Sequence, residues 1–138
     1  MNVEVNYLAV SLAGLVSMPI GYIWYSPAFF AKPWMKYRGL KSSDLEGGSP
    51  LPYILTLLAS LITAYVLAHV AVLSNSYFGH SFLQDTLSTA FWLWLGFTAA
   101  RLLTHSLFDR DDWRLIAISL GYELVTIMAM GLIIGLMK

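Results

Sequence analysis

The chain has 138 residues, of which 58% are hydrophobic and 12% charged, whereas a typical soluble domain carries about 25% charged residues. Too few charged residues remain to cover a soluble fold of this length, so the composition predicts one integral membrane domain over residues 1–138. The net charge is zero and cysteine is absent, and no basic stretch suits a nucleic acid, which excludes nucleic-acid binding, disulfides and thiolate metal sites.

Four apolar runs are long enough to cross a bilayer, because a helix needs about 20 apolar residues to cross a hydrocarbon core of about 30 Å. They cover approximately residues 7–30, 51–78, 86–108 and 115–137. The first run is too long for a secretory signal, and no basic residue precedes it. The predicted fold class is therefore all-α, an integral membrane four-helix bundle with a short interfacial helix after the first span.

The segment between the first two spans divides into two parts. In residues 32–40 the aromatic residues Trp34 and Tyr37 alternate with basic residues, a pattern typical of a short helix at the membrane interface. Residues 42–50 contain two glycines and end in Pro50, which predicts a flexible turn into the second span.

Basic residues are concentrated in two of the three loops. They are Lys32, Lys36, Arg38 and Lys41 in the first loop, and Arg110 and Arg114 in the third. The amino terminus and the second loop contain no Lys or Arg, and the carboxyl end has only Lys138. Because basic loops favour the cytoplasmic side, both termini are predicted to be extracytoplasmic.

Four sequence blocks each contain at least one aromatic residue, and three of them also contain glycine. They are Asn6-Tyr7-Leu8-Ala9, Gly21-x-x-Trp24-Tyr25-Ser26-Pro27-x-x-Phe30-x-Lys32-x-Trp34, Trp94-Leu95-Gly96-Phe97 and Gly121-Tyr122. This set resembles a family of small bacterial four-span proteins catalogued as a domain of unknown function (family 1761). The resemblance covers nearly the whole chain. It implies a four-helix fold in the bacterial cytoplasmic (inner) membrane and no particular catalytic or binding residue.

The longest block also has a physical interpretation as a membrane-interface anchor. Its aromatic rings fall at the predicted cytoplasmic boundary, where amphipathic rings settle at headgroup depth. The proline pushes the preceding serine out of helical geometry and ends the span, and the lysine can reach anionic headgroups. A docking site for an unidentified membrane partner is the open alternative. The anchor consists of Trp24, Tyr25, Ser26, Pro27, Lys32 and Trp34.

Small residues recur every four positions on two spans, which lets helix backbones approach closely in lipid. Such contacts can form within one subunit or between subunits. Because the small-residue surface exceeds what one compact bundle needs, we expect a homo-oligomer. The residues are Ala9, Ala13, Ser17, Gly21, Gly131 and Gly135.

Two charged residues lie inside predicted spans, Arg101 in the third and Glu123 in the fourth. Counted at about 1.5 Å per residue, they lie roughly 10 and 12 Å from the same membrane end. An ionisable group at such depth needs a partner or a function. The short loop between the two spans predicts an antiparallel hairpin in which Arg101 and Glu123 pair in the interior. The other members of this predicted polar centre are Tyr65, His69, Thr98, His105, Ser119 and Thr126.

Three roles for this centre are open. It can be an ion pair that orders the bundle, or a solute or ion pathway in which Glu123 titrates or binds a cation and Arg101 tunes it. The third role is an anion site at Arg101 with Glu123 as its gate. The preferred function is a homo-oligomeric permease or channel for a small solute or ion. The alternative is a structural or accessory membrane subunit whose Arg/Glu pair only orders the helices.

Neither a cofactor nor catalysis is predicted. The histidines at 69, 80 and 105 fall at different depths, whereas bis-histidine ligation of haem needs two imidazoles facing each other. No serine, histidine and acid converge by spacing, so we expect no enzyme activity, no metal and no partner beyond the lipid bilayer, further copies of the protein and the unidentified membrane partner.

Overall fold

The computed structural model describes residues 3–138, and over that range it is helical with no strand. The α-helices are α1 (Tyr7–Trp24), α2 (Ala31–Arg38), α3 (Leu51–Phe78), α4 (Phe82–Leu93), α5 (Ala100–Phe108) and α6 (Trp113–Leu136). A 3₁₀ turn occupies Ser42–Leu45 and a π-helical turn occupies Trp94–Ala99. The all-α prediction is confirmed.

Local signals in the sequence explain where the long helices begin and end. The side chain of Asn6 accepts hydrogen bonds from the N–H groups of Leu8 and Ala9 at 3.0 and 3.1 Å, which satisfies two donors at the start of α1. Asp112 caps α6 in the same way. At the end of α3, Gly79 adopts a left-handed φ of 68°, a conformation that favours glycine.

In the described part of the chain, α1, α3 and α6 are the helices long and apolar enough to cross a membrane. The helix of the first predicted span ends at Trp24 rather than near residue 30, because the turn containing Ser26 and Pro27 follows it. The third predicted span lies in α4, the π-helical turn and α5, which follow one another without a break from Phe82 to Phe108. Helix α2 lies where the sequence predicts a short helix.

The long helices pack around a shared core. Helix α1 packs against α3 and α6, and α4 packs against the same two helices from the other side. Their contacts bury Ala13, Ala64, Leu67, Ala90 and Met130. Helix α5 has the π-helical turn and α6 as its main neighbours, whereas most of the first half of α3 is exposed. One side of the bundle, between α3 and α5, therefore remains open.

The small-residue faces lie inside the subunit. Ala9, Ala13 and Ser17 are almost fully buried. A β-carbon added to Gly21 would lie 3.3 Å from the Tyr122 hydroxyl oxygen, and additions at Gly131 and Gly135 would crowd Ala90 and Leu83 of α4. These faces are therefore occupied by neighbouring helices of the same subunit. Of the two arrangements that the sequence left open for these faces, the structure has contact within one subunit.

Candidate functional site

A polar cavity of about 210 Å³ lies between α3, the π-helical turn and α6. Because it combines a carboxylate with several hydroxyl groups in one concave space, this cavity is the candidate site. Its polar lining residues are Thr56, Ser60, Thr63, Thr98, Tyr122, Glu123 and Thr126. Ala59, Ile127 and Met130 complete the wall.

Helix α3 contributes three hydroxyl groups to one wall. Thr56, Ser60 and Thr63 recur at spacings of four and three residues, so they share one helix face. The Thr56 hydroxyl donates to the carbonyl of Pro52 at 2.7 Å, and the Thr63 hydroxyl donates to the carbonyl of Ala59 at 3.0 Å. With their protons directed at the helix backbone, these oxygens can act as acceptors towards a ligand.

Helix α6 contributes the carboxylate of Glu123 and the hydroxyl of Thr126. Glu123 is half-buried, and within residues 3–138 no cationic side chain lies within 4.0 Å of it. Thr126 is 6% exposed, and its hydroxyl oxygen is buried without a hydrogen-bond partner in the same range. Within the same range, the buried indole N–H groups of Trp24 and Trp94 also have no hydrogen-bond partner.

The third wall comes from the π-helical turn, which contributes Thr98. A π-helical turn contains one residue more than an α-helical path of the same length. The residues that follow are therefore rotated by about 100° relative to an uninterrupted α-helix. This turn decides which side chains of the third predicted span reach the cavity.

The structure brings together only part of the predicted polar centre. Glu123, Thr98 and Thr126 line one cavity. Arg101 is exposed on α5 and forms no ion pair with Glu123. The predicted interior pair within one subunit is therefore wrong. The prediction rested on depth counted along the chain, whereas the Arg101 side chain lies on the exposed side of α5, just after the π-helical turn.

The remaining predicted members lie elsewhere. His105 is exposed on α5, one turn after Arg101, and Ser119 is half-buried on α6, one turn before Glu123. Tyr65 and His69 contact each other on α3, with ring centroids 4.1 Å apart and His69 Nδ1 2.8 Å from the Tyr65 carbonyl oxygen. None of these four lines the cavity described above.

The predicted interface anchor packs against α6. The Trp24 and Tyr25 rings lie 6.5 and 5.4 Å from the Tyr122 ring, and Trp34 lies 5.5 Å from Tyr25. A β-carbon on Gly121 would come within 3.0 Å of Trp24. Two of the blocks that resemble the family therefore meet in space. Because Tyr122 also lines the cavity, this aromatic cluster supports one of its walls.

The rest of the anchor is less buried. Pro27 and Lys32 are exposed, and Ser26 is half-buried in the turn after α1. The carbonyl oxygen of Ser26 accepts hydrogen bonds from the N–H groups of Phe29 and Ala31, at 3.0 and 3.2 Å. These bonds hold the turn that leads into α2.

A second polar cluster, at the other end of the bundle, is absent from the sequence-based predictions. Asp85 is 3% exposed and accepts a hydrogen bond from the Asn75 side chain at 2.8 Å, while His80 Nδ1 lies 2.9 Å from its other oxygen. Lys138 donates to the Asn75 side-chain oxygen at 3.1 Å. The amide of Asn75, together with His80, holds the pKa of the Asp85 carboxyl below its usual value.

The three α3 hydroxyls of the cavity are also absent from those predictions. Their signal is present in the sequence, because Thr56, Ser60 and Thr63 form a polar stripe at helical spacing within an apolar span. For the cluster around Asp85 the signal is weaker. Asn75, His80 and Asp85 lie at the predicted ends of two spans, where polar residues are expected in any case.

Comparisons with known proteins identify a family and no relative of known function. No curated protein and no solved structure matches the sequence. One family profile matches residues 8–135, which is nearly the whole chain. The resemblance inferred from the sequence blocks is therefore confirmed. The chain belongs to the family described as Protein of unknown function (DUF1761).

Proposed function

We propose that this is a four-span protein of a bacterial cytoplasmic membrane, in which α1, α3, residues 86–108 and α6 cross the bilayer. The continuous helical path from Phe82 to Phe108 supports the third of these spans, residues 86–108. Roughly 23 residues at about 1.5 Å each exceed a hydrocarbon core of about 30 Å. The short helix α2 then lies at the cytoplasmic interface, and both termini are extracytoplasmic because the basic loops lie opposite them.

Within that arrangement we propose that the cavity binds a small monovalent cation, as the substrate site of a permease. The observation that carries this proposal is the lining itself: one carboxylate and six hydroxyl groups face one cavity. Carboxylate and neutral oxygen ligands suit hard cations. A single carboxylate, Glu123, balances one positive charge.

The size of the cavity sets the class of cation. A water molecule occupies about 30 Å³ in the liquid, so a space of about 210 Å³ can hold a partly hydrated alkali ion or a small ammonium compound. Thr56 and Thr63 on one rim are exposed, so the cavity opens sideways between α3 and α5. Binding in this cavity requires no catalytic group, and we propose no enzyme activity.

Flux through proteoliposomes tests this function. Purified protein is reconstituted into vesicles that contain a pH-sensitive or potential-sensitive dye, and outward gradients of K⁺, Na⁺ and tetramethylammonium are applied. We expect flux of at least one of these cations with the wild type, and a loss of ten-fold or more with Glu123→Gln. The matched control is Glu46→Gln, which makes the same change in the exposed first loop.

Two results would contradict the proposal. One is wild-type vesicles that are no more permeable than protein-free vesicles to any of the three cations. The other is equal flux in the wild type and the Glu123→Gln variant. Either would favour the alternative, a structural or accessory subunit, and the basic residues exposed on α2 would then be the place to look for its partner.

A further inference from the structure

One face of the bundle beside the cavity carries polar side chains that remain exposed in a single subunit. Arg101, Thr104 and His105 of α5 are exposed and share one helix face at spacings of three and four residues. Thr56 and Thr63 of α3 are exposed across the cavity opening. We refer to these five residues as the α3–α5 face.

A polar face of this kind is unsuited to contact with lipid tails. The Thr104 hydroxyl is satisfied by the carbonyl of Ala100 at 2.9 Å, but Arg101 has no ionic partner within residues 3–138. A guanidinium group inside a bilayer requires water, a headgroup or an opposite charge. The carboxylate of Glu123, in the adjacent cavity, also lacks a cationic partner in that part of the protein.

A twofold axis between two copies would allow these two charges to pair. All copies insert in the same orientation, so a dimer axis runs along the membrane normal and joins residues of equal depth. Arg101 and Glu123 lie at nearly equal distances from the cytoplasmic end, roughly 10 and 12 Å. The twofold relation also makes the contact reciprocal, so both charges on each copy are compensated.

We propose that two copies of the protein associate through the α3–α5 face, and that the partner's Arg101 closes the Glu123 cavity of each subunit. The site is then incomplete in a single subunit. The guanidinium occupies the cation position when the cavity is empty, and an entering cation displaces it. Cation binding is therefore coupled to the subunit contact. This inference rests on the proposed placement of residues 86–108 in the membrane and of the cation at Glu123.

Charge exchange between two differently tagged variants tests the pairing. One variant carries Arg101→Glu and the other carries Glu123→Arg. A dimer of either variant alone would contain two pairs of like charges at its interface, so we expect each variant alone to be monomeric. Expressed together, the two variants can form a mixed dimer with two ion pairs, one between the two substituted residues and one between the two unchanged residues. We therefore expect the Glu123→Arg variant to co-purify with the tag of the Arg101→Glu variant. Pairing within one subunit predicts no such rescue, because each variant would still contain its own like-charge pair.

A folding control and a second measurement accompany this test. A variant carrying both reversals, Arg101→Glu and Glu123→Arg, should form wild-type dimers. Because the sequence has no cysteine, Arg101→Cys and Glu123→Cys on separately tagged copies should also form a disulfide-linked dimer on oxidation in membranes. Val125→Cys is the matched control, since it is exposed on the same helix two residues away and points to the other side. We expect no cross-link between it and Arg101→Cys.

The two proposals fail in distinguishable ways. Absence of both the co-purification and the Arg101→Cys/Glu123→Cys cross-link overturns the dimer, whatever the flux. A cross-link to Val125→Cys as strong as that to Glu123→Cys overturns the assigned face. Intact dimers that carry no cation overturn the proposed function and leave the dimer in place.

Discussion

At the scale of single residues, Thr126 shows how this protein retains an unfavourable group. Its hydroxyl is buried without a partner in the part of the protein that the structure describes, and a buried polar group left unsatisfied costs about 1–3 kcal/mol. Valine has nearly the same shape and would fill the position without that cost. Under the proposed function, this hydroxyl is a ligand that gains its partner when a cation enters beside Glu123.

Replacing Thr126 therefore has opposite effects on stability and function. We expect Thr126→Val to raise the free energy of unfolding of the ligand-free protein by about 1 kcal/mol and to reduce cation flux. Thr86→Val is the control, because the buried Thr86 hydroxyl donates to the Phe82 carbonyl at 2.7 Å. That change should lower stability slightly and leave flux intact. Thermal unfolding in detergent and vesicle flux provide the two readouts, and a Thr126→Val protein with undiminished flux would contradict the assignment.

Asp85, just before the third proposed span, makes a pH-dependent contribution to stability. Its pKa is lowered in the folded protein from the usual value of 3.8, because the ionised carboxyl accepts hydrogen bonds from Asn75 and His80. A lowered folded-state pKa means that the contribution is fully present above pH 3.8 and is lost as the pH falls towards the folded-state value. We expect Asp85→Asn to unfold at a lower temperature than the wild type at about pH 7.

The difference between the two proteins should shrink as the pH falls below about 4. Asp109→Asn is the control, since Asp109 is exposed in the third loop, and its unfolding temperature should follow that of the wild type throughout. A constant gap between Asp85→Asn and the wild type from about pH 7 to about pH 3 would show that the carboxyl charge of Asp85 does not stabilise the fold.

At the scale of elements, close contact between helices depends on residues without large side chains. A β-carbon on Gly14 of α1 would lie 2.5 Å from Leu61 Cδ2 and 3.0 Å from the Leu61 α-carbon of α3. The backbone of α3 cannot move away without separating the two helices. Gly96, in the π-helical turn, has no atom within 4 Å of the corresponding position. Gly14 therefore permits the close contact between α1 and α3, whereas no neighbouring atom requires glycine at position 96.

Alanine substitutions at Gly14 and Gly96 test this difference between the two positions. We expect Gly14→Ala to lower the free energy of unfolding by about 1–3 kcal/mol, as overpacked substitutions do. Gly96→Ala should be neutral, or stabilising by about 0.5–1 kcal/mol, because alanine favours helix over glycine. Both variants are compared by thermal unfolding in the same detergent. A Gly14→Ala protein as stable as the wild type would show that the contact between α1 and α3 is looser than described, and a loss at Gly96→Ala would show that Gly96 is needed for another reason.

At the scale of the whole molecule, the polar groups occupy distinct levels along the bundle. The cluster around Asp85 joins the ends of α3 and α6 to the start of α4. Six of the eight basic residues lie at the opposite end, in the first and third loops, whereas Lys138 belongs to the Asp85 cluster. The cavity containing Glu123 lies between them. The proposed orientation, which rests on the basic residues of the loops, places this basic end in the cytoplasm.

Cysteine labelling tests that orientation, since the natural sequence has no cysteine to interfere. We expect Ser81→Cys to react with an impermeant maleimide in intact cells, because it would face the extracytoplasmic side. Ser43→Cys should react only after the membrane is permeabilised. Both serines are exposed, so a difference in labelling reflects the side of the membrane. The reverse pattern would overturn the proposed topology.

Much of this protein follows from its sequence alone. Composition and the lengths of the apolar runs predict an all-helical protein with helices able to cross a membrane, because burying backbone polar groups in lipid leaves few alternatives. The block from Gly21 to Trp34 identifies the family. The sequence also predicts that Glu123, Thr98 and Thr126 share a site, because polar residues at helical spacing within apolar spans must face something other than lipid.

Only the tertiary structure decided how those residues are arranged. It separates Arg101 from Glu123, since Arg101 lies on the exposed side of α5 after a π-helical turn that no propensity or spacing predicted. It adds Thr56, Ser60 and Thr63 to the cavity, because their helix lies across from α6. Depth along a helix can be counted from a sequence, but the direction in which a side chain points depends on how the helices pack.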